Sequence, residues 1–203
     1  MRADLALSRL LSFPSADLLA DEARTRVVCE DAPRAAREPL ARYFDEVHGL
    51  DELERQRLYV DAFDFDRRAS LHLTAHTHGD RRQRGGRLID LKLRLRVAGV
   101  VLTSGELPDH LAVLIELRAL APAEGASALA ELRPAIELIR ARLHEVNSPY
   151  RHVLDAFCAT LPRLTREQRS AAERLATDGP PGELVGLEPF APAEVMPREE
   201  SLR

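Results

Sequence analysis

The stretch 88-LIDLKLRLRVAGVVL-102 decides the fold class. Leu91, Leu93, Leu95 and Val97 alternate with Lys92, Arg94 and Arg96, the period-two pattern of a half-buried strand. Leu88, Leu91, Leu95, Ala98 and Leu102 also trace one helical face, at spacings of three and four. A lone strand leaves its backbone donors and acceptors without a ladder partner, and no other stretch reads as a convincing strand. The segment is therefore read as a helix, and the chain as an all-α, single-domain bundle of about eight to ten helices.

The flanking sequence agrees. Leu5, Leu7, Leu10 and Leu11 predict an opening helix that stops before Pro14, and Ser15 caps a second that runs through Ala20 and Val27. Pro33 separates this from a third helix carrying Leu40, Tyr43, Phe44 and Val47. Asp51 with Glu54 forms a capping pair for a fourth, Glu52 to about Phe65. Beyond Ser104-Gly105, Pro108 is placed in the first turn of a helix reaching about Leu120, where its missing N–H costs nothing. A further helix spans Ser127 to about His144, either kinked at Pro134 or starting near Arg133. Ser148-Pro149 opens the next, and Thr165 with Gln168 caps the last, which ends before Gly179. From Asp178 onward prolines mix with glutamates, so 1–178 reads as the helical domain and 179–203 as an extended or disordered tail.

Composition fits this picture. Of 203 residues, 45% are hydrophobic and only 4% aromatic, with no Trp, so Leu, Ala and Val must build the core. A net charge of −4 gives no reason to expect nucleic acid or an anionic membrane as the main partner. Cys29 and Cys158 are far apart and without CxxC spacing, which reads as two reduced thiols rather than a disulfide framework. The opening MRADLALSRLLSFPS is unlike a signal peptide. No run approaches the roughly 18 apolar residues of a membrane helix, so a cytoplasmic protein without stable membrane insertion is expected.

The unusual chemistry lies between Tyr59 and Leu117, and it has three readings. A metal site, as in a metal-dependent phosphohydrolase, would draw on His72, His76, His78 and Asp80, with oxygens from Asp61, Asp64 and Asp66. Thr74, Thr77 and Gly79 mark that stretch as a loop, however, and there is no HExxH. A phosphate site would use Arg81, Arg82, Arg84 and Arg87, with Gly85 and Gly86 just before a helix N-terminus. Neither GxxxxGK[ST] nor a GxGxxG after a strand is present, and the basic run is equally a solvated, ion-paired face. The third reading is a peptide groove around Pro108-Asp109-His110, with Asp109 complementing the helix N-terminus. Composition and spacing do not choose among the three.

At these same residues the chain resembles a known family. YVDAFDFDRRASLHLT from Tyr59, HGDRRQRG from His78 and GELPDHLAVLIEL from Gly105 together resemble the NarJ family, the delta-type assembly chaperones of respiratory nitrate reductase. That family lies within the wider TorD and DmsD group. The resemblance is densest from about Leu58 to Leu120, and LLSFPSADLL from Leu10 is similar to the family's opening helix. The chain departs from the family at Ala112, where proline is usual, and at Val97 and Leu117, where Phe or Tyr is common.

The resemblance implies a chaperone and not an enzyme, with no cofactor of its own. The implied partner is the catalytic (alpha) subunit of nitrate reductase, bound in part through its N-terminal segment. It would be held competent for molybdenum cofactor insertion before membrane docking, with cofactor-biosynthesis proteins as further partners. A related molybdoenzyme as client is the alternative. The carried-over client-binding residues are Glu106, Pro108, Asp109 and His110 at the groove rim, with Tyr59, Phe63 and Phe65 as its aromatic wall. Asp64, Arg68, Gly79, Asp80, Arg81, Arg84 and Gly85 would shape the adjoining loop. Asp109 beside His110 is expected to hold that imidazole near a neutral pKa, and the tail is expected to lie in the groove until a client displaces it.

Overall fold

A computed structural model describes residues 2–78, 82–102 and 105–178. Residues 179–203, and with them the expected tail, lie outside the described residues, as do Gly79, Asp80 and Arg81. Among the described residues there are twelve helices and no strand, so the helical reading of 88–102 holds as far as Val97, short of the expected Leu102. They are α1 (Arg2–Leu10), α2 (Ala16–Ala20), α3 (Glu22–Glu30), α4 (Arg34–Glu46), α5 (Glu52–Phe63) and α6 (Leu73–His78). Then follow α7 (Arg82–Val97), α8 (Leu111–Leu120), α9 (Pro122–Glu131), α10 (Arg133–Glu145), α11 (Tyr150–Ala159) and α12 (Arg166–Asp178).

The centre is α8. Its sequence LAVLIELRAL is apolar nearly all round, and Leu111, Leu114, Ile115 and Leu117 are fully buried. It packs between α1 and α9, while α11 lies on α4 and α12 lies on α10. Where α8 meets α9 the backbones nearly touch: a Cβ on Gly125 would sit 2.2 Å from the Arg118 Cα. Only glycine fits there.

The end signals locate most helices. Asp51 and Glu54 form the expected box, with both hydrogen bonds at 2.8 Å. Thr165 and Gln168 form the second, both at 3.1 Å. Gly99, at φ +73°, stops α7: Val100 N–H donates to the Leu95 carbonyl and Gly99 N–H to that of Arg96.

Four further boundaries differ from the sequence reading. The expected helix through Val27 breaks at Asp21, whose ψ of 11° interrupts the ladder and whose carboxylate pairs with Arg9 at 2.8 Å. The loop expected around Thr74 is the short helix α6. Of the two readings at Pro134 the start near Arg133 holds for α10, but Ser127 opens no helix and falls within a separate one, α9, that begins at Pro122. Pro108 is in a turn before α8 rather than in its first turn, and His110 is the cap. These breaks explain why there are more helices than the eight to ten expected.

Candidate functional site

The segment returning from α7 to α8 crosses the segment leading into α6. Leu73 N–H donates to the Asp109 carbonyl (3.1 Å) and Leu111 N–H to the Leu71 carbonyl (2.9 Å), forming one antiparallel bridge between His72 and His110. This clasp fixes the Asp109 side chain in the interior, where it is 0% exposed. Its Oδ2 accepts from the Thr74 backbone N–H at 3.2 Å and from the Thr74 hydroxyl. Its Oδ1 lies 3.3 Å from His72 Nδ1. An ionised carboxylate only accepts, so that ring nitrogen carries the proton. Arg84, from the first turn of α7, completes the group with Nε 3.2 Å from the Thr74 hydroxyl and its guanidinium 3.6 Å from Asp109. Burial pushes the Asp109 pKa upward, but His72, Thr74 and Arg84 outweigh it and hold the carboxyl below its usual range. The buried charge is thus paired on three sides, as its burial requires.

His110 serves the next element. Its Nδ1 accepts from the Ala112 N–H at 3.3 Å and caps α8, while its ring meets that of His72 edge to face at 5.3 Å. Ser8 of α1 donates to the Ala112 carbonyl at 2.9 Å, tying the same turn to the first helix. Burial lowers the His110 pKa, against the pull of Glu106 and Asp109 in the other direction. The expected near-neutral titration is therefore replaced by an imidazole that stays neutral at pH 7.

The structure sorts the sequence-derived residues by exposure. Pro108, Asp109 and His110 are buried, whereas Glu106 is exposed. Tyr59 and Phe63 are in the core, stacked against Tyr150 with ring centres 5.8 and 4.9 Å away, and the Tyr59 hydroxyl donates to the Leu11 carbonyl. Phe65 is 80% exposed just beyond the end of α5. Asp64 closes α5 through its N–H to the Val60 carbonyl, and Arg68 donates to the Ala176 carbonyl at 3.3 Å, holding the end of α12.

Among the described residues the phosphate and metal sets do not come together. Gly85 and Gly86 are inside α7 rather than ahead of it. Arg87 and Arg94 both bind Glu131 of α9, whose pKa burial would raise but these two arginines lower. The three histidines serve three different partners. His72 faces Asp109, His76 Nε2 donates to the Ser70 carbonyl at 2.7 Å, and His78 Nδ1 pairs with the Thr77 hydroxyl at 2.7 Å. Among the described residues no three His, Cys, Asp or Glu side chains gather as a metal set, and Asp80 lies outside them. Cys29 and Cys158 are free and buried, and burial raises their thiols to about 11 and about 12.

One surface went unnoticed in the sequence. Ile89, Leu93 and Val97, each four residues apart on α7, are exposed, and Val97 is 84% exposed. Val101 and Leu107, also exposed, continue along the return toward α8. Leu91 and Leu95 are buried against the body. The strand-like alternation is thus the mark of a helix with two apolar stripes, one packed and one bare. Single exposed apolar residues are ordinary; a continuous row is not.

Comparison with known proteins places this architecture. A sequence profile of the nitrate reductase delta subunit family matches residues 29–174. The nitrate reductase molybdenum cofactor assembly chaperone NarJ of Escherichia coli K12 is 30% identical over 176 residues, covering 85% of this chain and 74% of that protein. A probable NarJ chaperone of Bacillus subtilis is 29% identical over 161 residues, covering 78% of this chain and 88% of its own length. The nitrate reductase-like protein NarX of Mycobacterium tuberculosis is 35% identical over 156 residues, which are 75% of this chain and 23% of that protein. The chain belongs to the nitrate reductase delta subunit family, and its Escherichia coli and Bacillus subtilis relatives are named as molybdenum cofactor assembly chaperones. Among the described residues no helix is long and apolar enough to cross a membrane.

Proposed function

We propose that this chaperone binds the catalytic (alpha) subunit of nitrate reductase, including its amino-terminal segment, and keeps it open to molybdenum cofactor insertion before membrane docking. The observation that carries the reading is the family match across 29–174, together with relatives named as molybdenum cofactor assembly chaperones. The bare stripe of α7 supplies the physical means. Ile89, Leu93 and Val97 offer anchors at the spacing with which an amphipathic client helix presents its own. Glu106, Leu107 and Phe65 are exposed on the surface. Pro108, Asp109 and His110 act indirectly, by holding the return segment that carries Glu106 and Leu107. Tyr59 and Phe63 support the core beneath Phe65. Proteins of molybdenum cofactor biosynthesis are further partners in this reading.

The test is calorimetric titration with a synthetic peptide from the amino end of the catalytic subunit. Saturable binding is expected, weakened at least about tenfold, or ~1.4 kcal/mol, by Leu93→Asp with Val97→Asp. Circular dichroism should show both proteins equally folded. Unchanged affinity in that variant would remove α7 as the client face, and absence of binding to the native chain would remove the amino-terminal segment as the client element.

A further inference from the structure

A second apolar surface lies away from α7, between α1 and α3. Leu5, Ala6, Val27 and Val28 line a groove with a cavity volume of about 540 Å³, large enough for several apolar side chains. Arginines stand at its edge. Arg9 is committed to Asp21, but the side chains of Arg2 and Arg24 have no ion-pair or hydrogen-bond partner among the described residues. An apolar trough with two uncommitted cations at its rim fits one chemistry, a short apolar peptide that carries carboxylates.

The chain itself contains such a segment. Residues 183–190 read ELVGLEPF: Leu184, Val185, Leu187 and Phe190 are apolar, Glu183 and Glu188 are acidic, and no basic residue intervenes. The described structure ends with α12 at Asp178, and Phe190 lies twelve positions beyond that end. Extended, these span about 40 Å. A helical domain of this size has a radius of gyration near 16 Å, hence a diameter of about 40 Å. Phe190 can therefore lie up to one diameter from Asp178, and Glu183 within about 17 Å of it.

We propose that residues 183–190 dock in the α1–α3 groove of the same chain, with their apolar residues in the trough and Glu183 and Glu188 paired with Arg24 and Arg2. This seat differs from the turn at Pro108, where the expected displaceable tail would have found buried side chains. Residues 2–28 and 183–190 also both fall outside the family match at 29–174, so the clasp stands apart from the client-binding reading. It covers Leu5, Val27 and Val28, and it ties the two ends of the chain together around α1.

Cross-linking in the full-length protein tests this. The native thiols are buried with raised pKa values and so are poor reactants. Val27→Cys combined with Ala191→Cys should form an intramolecular disulfide under mild oxidation. It should form about tenfold faster than the pair Leu93→Cys with Ala191→Cys, because docking raises the effective concentration of one thiol at the other. Phe190→Asp or Arg24→Glu in the first pair should slow it to the level of the second. Equal rates in the two pairs would overturn the proposal, as would faster cross-linking to Leu93, which would put the segment on α7. Disulfide-linked dimers in place of the intramolecular product would show that the occupant is a second copy, again contradicting the clasp within one chain.

Discussion

Asp109 shows how a residue can be selected correctly from sequence and its role still be misjudged. Read in the string LPDHL, it is a first-turn carboxylate at a groove rim; in the structure it has no exposed surface and binds His72, Thr74 and Arg84. Nothing in the spacing of positions 74 and 109 announces that pairing, because a bridge between two non-regular segments leaves no periodic trace. Asp109→Ala leaves the Thr74 N–H and the Arg84 charge without their acceptor. A loss of about 3 kcal/mol is expected, read as a fall of roughly 6–12 °C in the melting temperature. A change within about 1 °C would mean that the clasp contributes nothing to stability. Asp109→Asn, which keeps one acceptor oxygen, should fall between the two proteins.

At the scale of elements, the legible parts were those with end chemistry of their own. The boxes at Asp51 and Thr165 each satisfy orphan backbone groups with residues only a few positions away. The break at Asp21 and the helix α6 were not legible, since each depends on a distant partner: Arg9 for the first, Asp109 for the second. The close approach of α9 to α8 also depends on tertiary contact. Gly125→Ala would drive a methyl group into the Arg118 backbone, and the expected cost is about 2–3 kcal/mol, measured by urea unfolding. Gly85→Ala, in α7 with open space around its Cβ position, should leave stability equal or slightly higher because alanine favours the helix. Similar effects at both positions would contradict the packing described for α8 and α9.

For the whole molecule, stability against pH follows from groups held away from their ordinary pKa. His76 is 0% exposed; burial lowers its pKa, only partly offset by the Ser70 carbonyl and by Asp109, while His72 and Arg84 lower it further. The folded chain keeps this ring neutral, whereas the unfolded chain takes up a proton below about pH 6.5. Its contribution is complete above that pH and is lost as pH falls toward the folded value; His110 acts in the same direction. Asp109 adds a second loss at still lower pH, as the carboxylate is protonated below its usual range. The urea midpoint should therefore be level from pH 8 to 7 and decline by pH 5.5, and His76→Gln should reduce the decline. A midpoint constant down to pH 5 would contradict the buried neutral imidazoles. The all-α bundle was legible in the hydrophobic period, and the family in three strings near Tyr59, His78 and Gly105. The bare face of α7 was legible only in hindsight, since packed and exposed leucines look alike until the body of the fold says which side it covers. The most direct test of the chaperone role is the molybdenum content of nitrate reductase catalytic subunit purified from cells with and without this chain. Near-complete loading with the chain and largely empty subunit without it is the expected result; equal loading in both would contradict it.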